Sequence, residues 1–161
     1  MKGLRVTKDL SANLLTALKG IGNRQVLVGI PKSKDARTGE VIGNAYLGAI
    51  HEYGSPARNI PARPFLNPGV KDAEKDTVKI LRAGAVRALT EMSAGVIDQT
   101  LNRVGLNAQA TVKKRITGQI GFAPLSESTI KARERTGKKG TKALIRTGDL
   151  LNSITYVVRD K

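Results

Sequence analysis

The chain has 161 residues, a formal net charge of +15, few aromatic residues, and neither Cys nor Trp. Its length favours a single domain. The absence of Cys excludes a disulfide scaffold, a thiolate zinc site and a cysteine nucleophile, and no apolar run approaches the roughly 20 residues of a membrane span.

The N-terminal stretch 1–15 has no uninterrupted apolar core and no cleavage-site pattern, so it predicts a protein made without a secretory leader, in the cytoplasm. Asp9 is placed to cap an amphipathic helix running to about Lys19, with Leu10, Leu14, Leu15 and Leu18 on one face. Residues 25–30 (QVLVGI) read as a buried strand, and 31–40 as a polar loop. Asn44 opens a second helix with Tyr46, Leu47, Ile50 and Tyr53 at helical spacing, ended by Gly54. Residues 54–68 hold four of the six prolines and predict a rigid extended segment.

Helical patterning resumes near Val70. Val78, Leu81, Ala85, Leu89, Met92 and Val96 form a stripe that continues through Leu101, Val104, Ala108, Val112 and Ile116, facing a core or a partner helix. Unbroken, that helix would be about 70 Å long, so the sequence predicts either a break near Gly105 or projection into an assembly. Ser126 is an expected N-cap, 133–142 (RERTGKKGTK) a basic loop, Thr147 the cap of a short turn, and 153–158 a final strand. The fold class is therefore α+β: a small antiparallel sheet with flanking helices and one long central helix. Residues 1–161 read as one domain, with the Pro-rich segment at 54–68 and the basic loop at 133–142.

Charge is concentrated in 113–146, where ten Lys/Arg face only Glu127 and Glu134. Such a density implies an anionic partner, or else a solvated loop that maintains solubility. Tyr46, Tyr53, Phe65, Phe122 and Tyr156 are scattered, which disfavours base-stacking modes of nucleic-acid binding. Contact with DNA would be phosphate-directed and salt-dependent. A small basic, non-sequence-specific nucleic-acid-binding protein is thus one reading.

No catalytic, cofactor or metal site is expected. His51 is the only histidine, and with no partner motif it reads first as a residue of a helix C-terminus, where a cation is favoured. Asp72, Glu74 and Asp76 come closest to a carboxylate cluster, but acids at a helix start are accounted for by the helix dipole. KGIGNR lacks the dinucleotide fingerprint, and GKKGTK lacks phosphate-loop spacing. An enzyme is not expected.

Two blocks are more specific. The first is Ala49-Ile50-His51-Glu52-Tyr53-Gly54 with Ile60-Pro61-Ala62-Arg63-Pro64-Phe65-Leu66. The second is Pro124-Leu125-Ser126 with Thr129, then Leu144-Ile145-Arg146-Thr147-Gly148-Asp149-Leu150-Leu151-Asn152-Ser153-Ile154. In order, and spanning most of 41–158, they resemble the neck and tail-completion (virion morphogenesis) proteins of tailed bacteriophages, including those of Mu-like and P2-like phages. His51, Glu52, Tyr53, Gly54, Thr147, Gly148 and Leu150 carry the resemblance.

The resemblance implies a structural virion protein. It would form a ring, a hexamer by the family's habit, at the head–tail junction or proximal tail end, completing the tail and allowing head–tail joining. It would assemble in the host cytoplasm with other neck, connector and tail-tube proteins, without a membrane. Arg58, Ile60, Arg63, Pro64 and Phe65 are the expected protein interface, because a proline-stiffened segment loses little entropy on docking; the alternative is a connector that pins Phe65 into its own core. Arg133, Arg135, Lys138, Lys139 and Lys142 are expected to face transiting DNA or an acidic partner.

Overall fold

The computed structural model describes residues 19, 22–37, 41–91, 93–137 and 140–161. The expected N-terminal helix, Met92, Lys138 and Lys139 lie outside these. Strand β1 (Arg24–Gly29) is followed by helices α1 (Asn44–Tyr53), α2 (Leu66–Asp72), α3 (Glu74–Glu91), α4 (Ala94–Thr117), α5 (Glu127–Arg135) and α6 (Asp149–Ser153), and the chain closes with β2 (Thr155–Asp160). Among the described residues the sheet has two strands, paired antiparallel from Arg24↔Asp160 to Gly29↔Thr155. The fold is α+β.

Helix α4 is the spine, against which α2, α3 and both strands pack. Its stripe of Leu101, Val104, Ala108, Val112 and Ile116 is buried throughout, as the 3–4 spacing demands. One core gathers Val112 and Ile116 with Phe65, Ala143, Leu144, Leu150 and Ile154. A second joins Val96, Ile97 and Leu101 to Ala88, with Val26 and Val158 of the sheet against it. An Arg24–Asp98 ion pair ties β1 to the first turns of α4.

The long stripe does break, but not at Gly105. The helix runs unbroken through Gly105 for 24 residues, about 36 Å, and the reversal falls between Glu91 and Ala94, where Ser93 is extended at φ −120°, ψ 121°. Gly105 serves close packing instead: a methyl group there would land on the ring of Tyr156, by which β2 crosses the helix. The Tyr156 hydroxyl then donates to Asn102 Oδ1 at 3.0 Å. Because the chain folds back, α3 lies along α4 with Gly84 against Thr100, and only Gly84 and Ala88 of α3 are buried. Val78, Leu81, Val86 and Leu89 remain at the surface, Val78 at 52 % and Val86 at 60 % exposure.

The 54–68 segment is less extended than its prolines suggest. Ser55 and Ile60 exchange backbone hydrogen bonds around a 3-10 turn at Pro56–Arg58. Helix α2 starts at Leu66 and contains Pro68 in its first turn, where a missing N–H costs nothing because those donors have no intrahelical acceptor. In α1 the buried face is Asn44, Gly48 and Glu52, while Tyr46 and Tyr53 are exposed. Gly48 lets Ile30, Leu150 and Phe65 close on the helix, so the small and polar side, not the aromatic one, faces inward.

Candidate functional site

The two sequence blocks are joined by three devices. Glu52, buried in the last turn of α1, accepts hydrogen bonds from the backbone N–H groups of Phe65 (2.7 Å) and Leu66 (2.8 Å) through Oε2, and of Asn67 (2.9 Å) through Oε1. A carboxylate here satisfies the orphan donors of the α2 N-terminus and complements its dipole. The chain between must turn back sharply, which Gly54 permits at φ 77°. A side chain at that position would press within 2.9 Å of the Ala62 nitrogen. The Arg63 N–H donates to the His51 carbonyl at 2.7 Å, completing the return.

Arg63 supplies the second device. Its Nε donates to the Ala123 carbonyl (3.0 Å) and Nη2 to that of Pro124 (3.1 Å), fixing the first block to the start of the second. Helix α5 then begins as expected, with the Ser126 hydroxyl accepting from the Thr129 N–H. The third device is Arg133, whose Nη1 donates to the carbonyls of Gly140 (3.1 Å), Lys142 (3.0 Å) and Ile145 (3.3 Å). It folds the basic loop back toward the 144–150 turn.

These contacts correct several expectations. Arg63 and Phe65 are 6 % and 2 % exposed, so they are internal fasteners and not the partner-facing half of an interface. Arg58 is exposed, and Ile60 and Pro64 are half-buried. Arg133 is a staple for backbone carbonyls and not a free loop charge. Arg135 is exposed, and Lys142 is exposed with its Nζ on the Thr117 carbonyl at 3.2 Å. The Thr147 hydroxyl caps the turn as expected, accepting from the Asp149 N–H at 3.5 Å and donating to Asp149 Oδ2 at 2.6 Å, while Gly148, left-handed at φ 89°, holds the N-cap position of α6. Leu150 is buried in the main core.

Between the fastened blocks lies an open cleft of about 960 Å³. Arg37, Arg63, Arg133 and Arg146 line it with His51 beside them, and among the described residues Asp149 is the carboxylate in its walls. The charges are close enough to act on one another. Burial, and then the Arg63 charge, push the His51 pKa down. Burial, followed by Arg146 and Arg63, push that of Arg133 down. Among the described residues His51 Nδ1 is buried with no hydrogen-bond partner, an omission that ordinarily costs about 1–3 kcal/mol.

Sequence reasoning missed two parts of this site. Asp35 reaches from the loop to accept from the Ala45 N–H at 2.7 Å, capping α1 from ten residues away. Gln119 pairs twice with the backbone of Ala143, accepting from its N–H (2.6 Å) and donating to its carbonyl (3.0 Å), which holds the segment before the 144–150 turn. No local spacing marks either contact. Among the described residues no group of His, Asp and Glu could hold a metal ion, and no helix is long and apolar enough to cross a membrane.

No family model matches the chain, and no solved structure matches it significantly. A 42-residue stretch is 45 % identical to an uncharacterized protein of Methanocaldococcus jannaschii, covering 26 % of this chain and 31 % of that protein. The match therefore spans about a third of the archaeal protein's length.

Proposed function

We propose that this chain is a structural virion protein of the neck and tail-completion type. It forms a ring of identical copies at the head–tail junction or proximal tail end and enables heads to join tails. The observation that carries this reading is the apolar flank of α3. Val78, Leu81, Val86 and Leu89 stand in water on a helix that buries only Gly84 and Ala88 of its own. Burying such side chains against the next copy stabilises a contact by about 1–2 kcal/mol each, and a closed ring gives every copy two such contacts. The interlocked His51–Phe65 and Pro124–Ile154 blocks support the same reading, since the residues that carry the resemblance form one connected unit.

The alternative of a basic nucleic-acid-binding module draws less support. Arg115 is paired with Asp72, Arg133 is engaged by three carbonyls, and Lys142 by another. These donors are withdrawn from the patch that would meet phosphates.

The test is a cryo-EM reconstruction of the neck of virions carrying this protein. Density for the chain as a ring between head and tail is expected, with α3 at the contact between copies. Its absence from intact particles would reject the reading. Val86→Glu, at a side chain that is 60 % exposed, should give folded protein that fails to join heads to tails.

A further inference from the structure

The second core is open on one side. Between α3 and α4 lies a groove of about 380 Å³, lined by Val78, Leu81 and Ala85 of α3 and by the buried Ile97 and Leu101 of α4. Val78 is 52 % and Leu81 39 % exposed. Thr100, also in the wall, donates its hydroxyl to the Val96 carbonyl at 2.7 Å, and Arg82 is exposed. The groove therefore holds no buried polar group in search of a partner among the described residues, and it suits an apolar occupant. An apolar cavity of about 150 Å³ admits one benzene-sized group, so this one has room for more than one aliphatic side chain.

We infer that this groove seats the chain's own N-terminal segment, residues 1–18, which lays Leu10, Leu14, Leu15 and Leu18 against α3 and α4. Three observations select that occupant. The four leucines fall at i, i+4, i+5 and i+8, one apolar face of a helix, and the segment lies outside the described residues. Where those residues begin, the backbone is helical: the Asn23 N–H donates to the Lys19 carbonyl at 3.0 Å, the i→i−4 bond of an α-helix. They also begin beside the groove. Arg24 pairs with Asp98, the neighbour of Ile97 on α4, and Val26 packs on the cluster of Ala88, Val96, Ile97 and Leu101. The lengths agree as well. A helix over 9–18 is about 15 Å long, and α3 rises about 10 Å between Val78 and Ala85, while the chain from Lys19 to Arg24 can span up to about 17 Å.

Tethering favours this occupant over a second copy of the chain. A linked segment is presented to its groove at an effective concentration on the order of millimolar, whereas a second copy, also at +15, approaches against mutual repulsion. Val86 and Leu89 are not in the groove wall. The docked segment therefore narrows the proposed contact between copies to their side of α3 without removing it.

The test is paramagnetic relaxation enhancement on the full chain. The sequence has no cysteine, so Ala12→Cys, opposite the leucine face, carries a nitroxide at that position alone. Methyl signals of Val78, Leu81 and Ile97 should lose most of their intensity. Ile116, about 28 Å along α4 from Ile97, should be far less affected. In a mixture of nitroxide-bearing copies with isotopically labelled copies that lack it, the loss at the groove should be much weaker. Leu14→Asp with Leu18→Asp should restore the groove signals while that of Ile116 stays in place, the sign of a folded chain. Leu14→Ser takes the place of that pair if it unfolds the protein, and should restore them in part. No loss at the groove, or a loss that persists in the folded leucine variants, would overturn the inference. A loss equally strong in the mixture would also overturn it, identifying a second copy as the occupant. This readout needs no assembled particle, so the docking and the ring can fail separately.

Discussion

Replacing Glu52 by Ala removes one carboxylate and strands three backbone donors. Phe65 is 2 % exposed, and its N–H has no water to turn to. Hydrogen bonds to a charged acceptor are worth about 1.5–3 kcal/mol each, while loss of an ordinary N-cap costs about 0.5–2 kcal/mol. Three bonds to one carboxylate are not additive, so a total loss of about 3–5 kcal/mol is expected, comparable to breaking a buried charge contact. Against a total stability of about 5–15 kcal/mol for a domain this is severe. In a chain of this length it lowers the melting temperature by roughly 6–20 °C. Urea and thermal unfolding followed by circular dichroism read the loss directly. Glu52→Gln should fall between Ala and wild type, because its amide retains one acceptor oxygen while turning a donor toward the α2 N-terminus. Glu91→Ala, which removes only the surface pair with Arg87, should leave the midpoint almost unmoved. If Glu52→Ala shifted it no more than Glu91→Ala does, the fastening of α2 by Glu52 would be refuted.

Gly105→Ala should destabilise by about 1–3 kcal/mol through overpacking against Tyr156; restored stability in the Gly105→Ala, Tyr156→Ala double variant, relative to Tyr156→Ala alone, would confirm that the ring is the obstacle. If Gly105→Ala were stabilising, as expected of a plain helix interior, the close approach would be wrong. Stability should also depend on pH through His51. Burial and Arg63 hold its folded pKa below the ordinary histidine value of 6.5, so folding favours the neutral ring, and that contribution is complete above the unfolded pKa and is lost as pH falls from there through the folded pKa. The difference in urea midpoint between wild type and His51→Gln should therefore change across that window, with wild type losing ground on acidification, and a difference independent of pH would count against a buried neutral His51.

Much of the fold was legible because regular periodicity reports burial directly. The Leu101–Ile116 stripe, β1, α1 and the Ser126 cap all follow from spacing or from a single capping residue. The chain reversal was misplaced because glycine at 105 reads equally as a helix breaker and as a packing gap, and only the position of Tyr156, 51 residues on, separates the two. The buried face of α1 was not legible for a related reason. A pattern search scores Tyr46 and Tyr53 as apolar and passes over Asn44, Gly48 and Glu52, whose burial depends on partners elsewhere in the chain. At the site, residue types were visible but their roles were not. Arg63 and Arg133 were read as outward-facing charges, although each is bound to carbonyls supplied by a distant or folded-back segment, and the cleft they share is assembled by tertiary contacts alone.

The chain's few carboxylates account for how a strongly basic protein of this size both folds and keeps its charge outside. Asp35 and Glu52 are placed on helix N-termini, where one anion satisfies backbone donors and complements the dipole together. Asp72 and Asp98 fasten α2 and β1 to α4 through Arg115 and Arg24. Arginines at the joints between segments are instead held by carbonyl oxygens, which fix a guanidinium in place without cancelling its charge. The architecture therefore gathers arginines where its segments meet, around the cleft between the two blocks, and leaves apolar surface on the α3 flank. The apolar flank suits like-charged copies, whose association must overcome repulsion by burial.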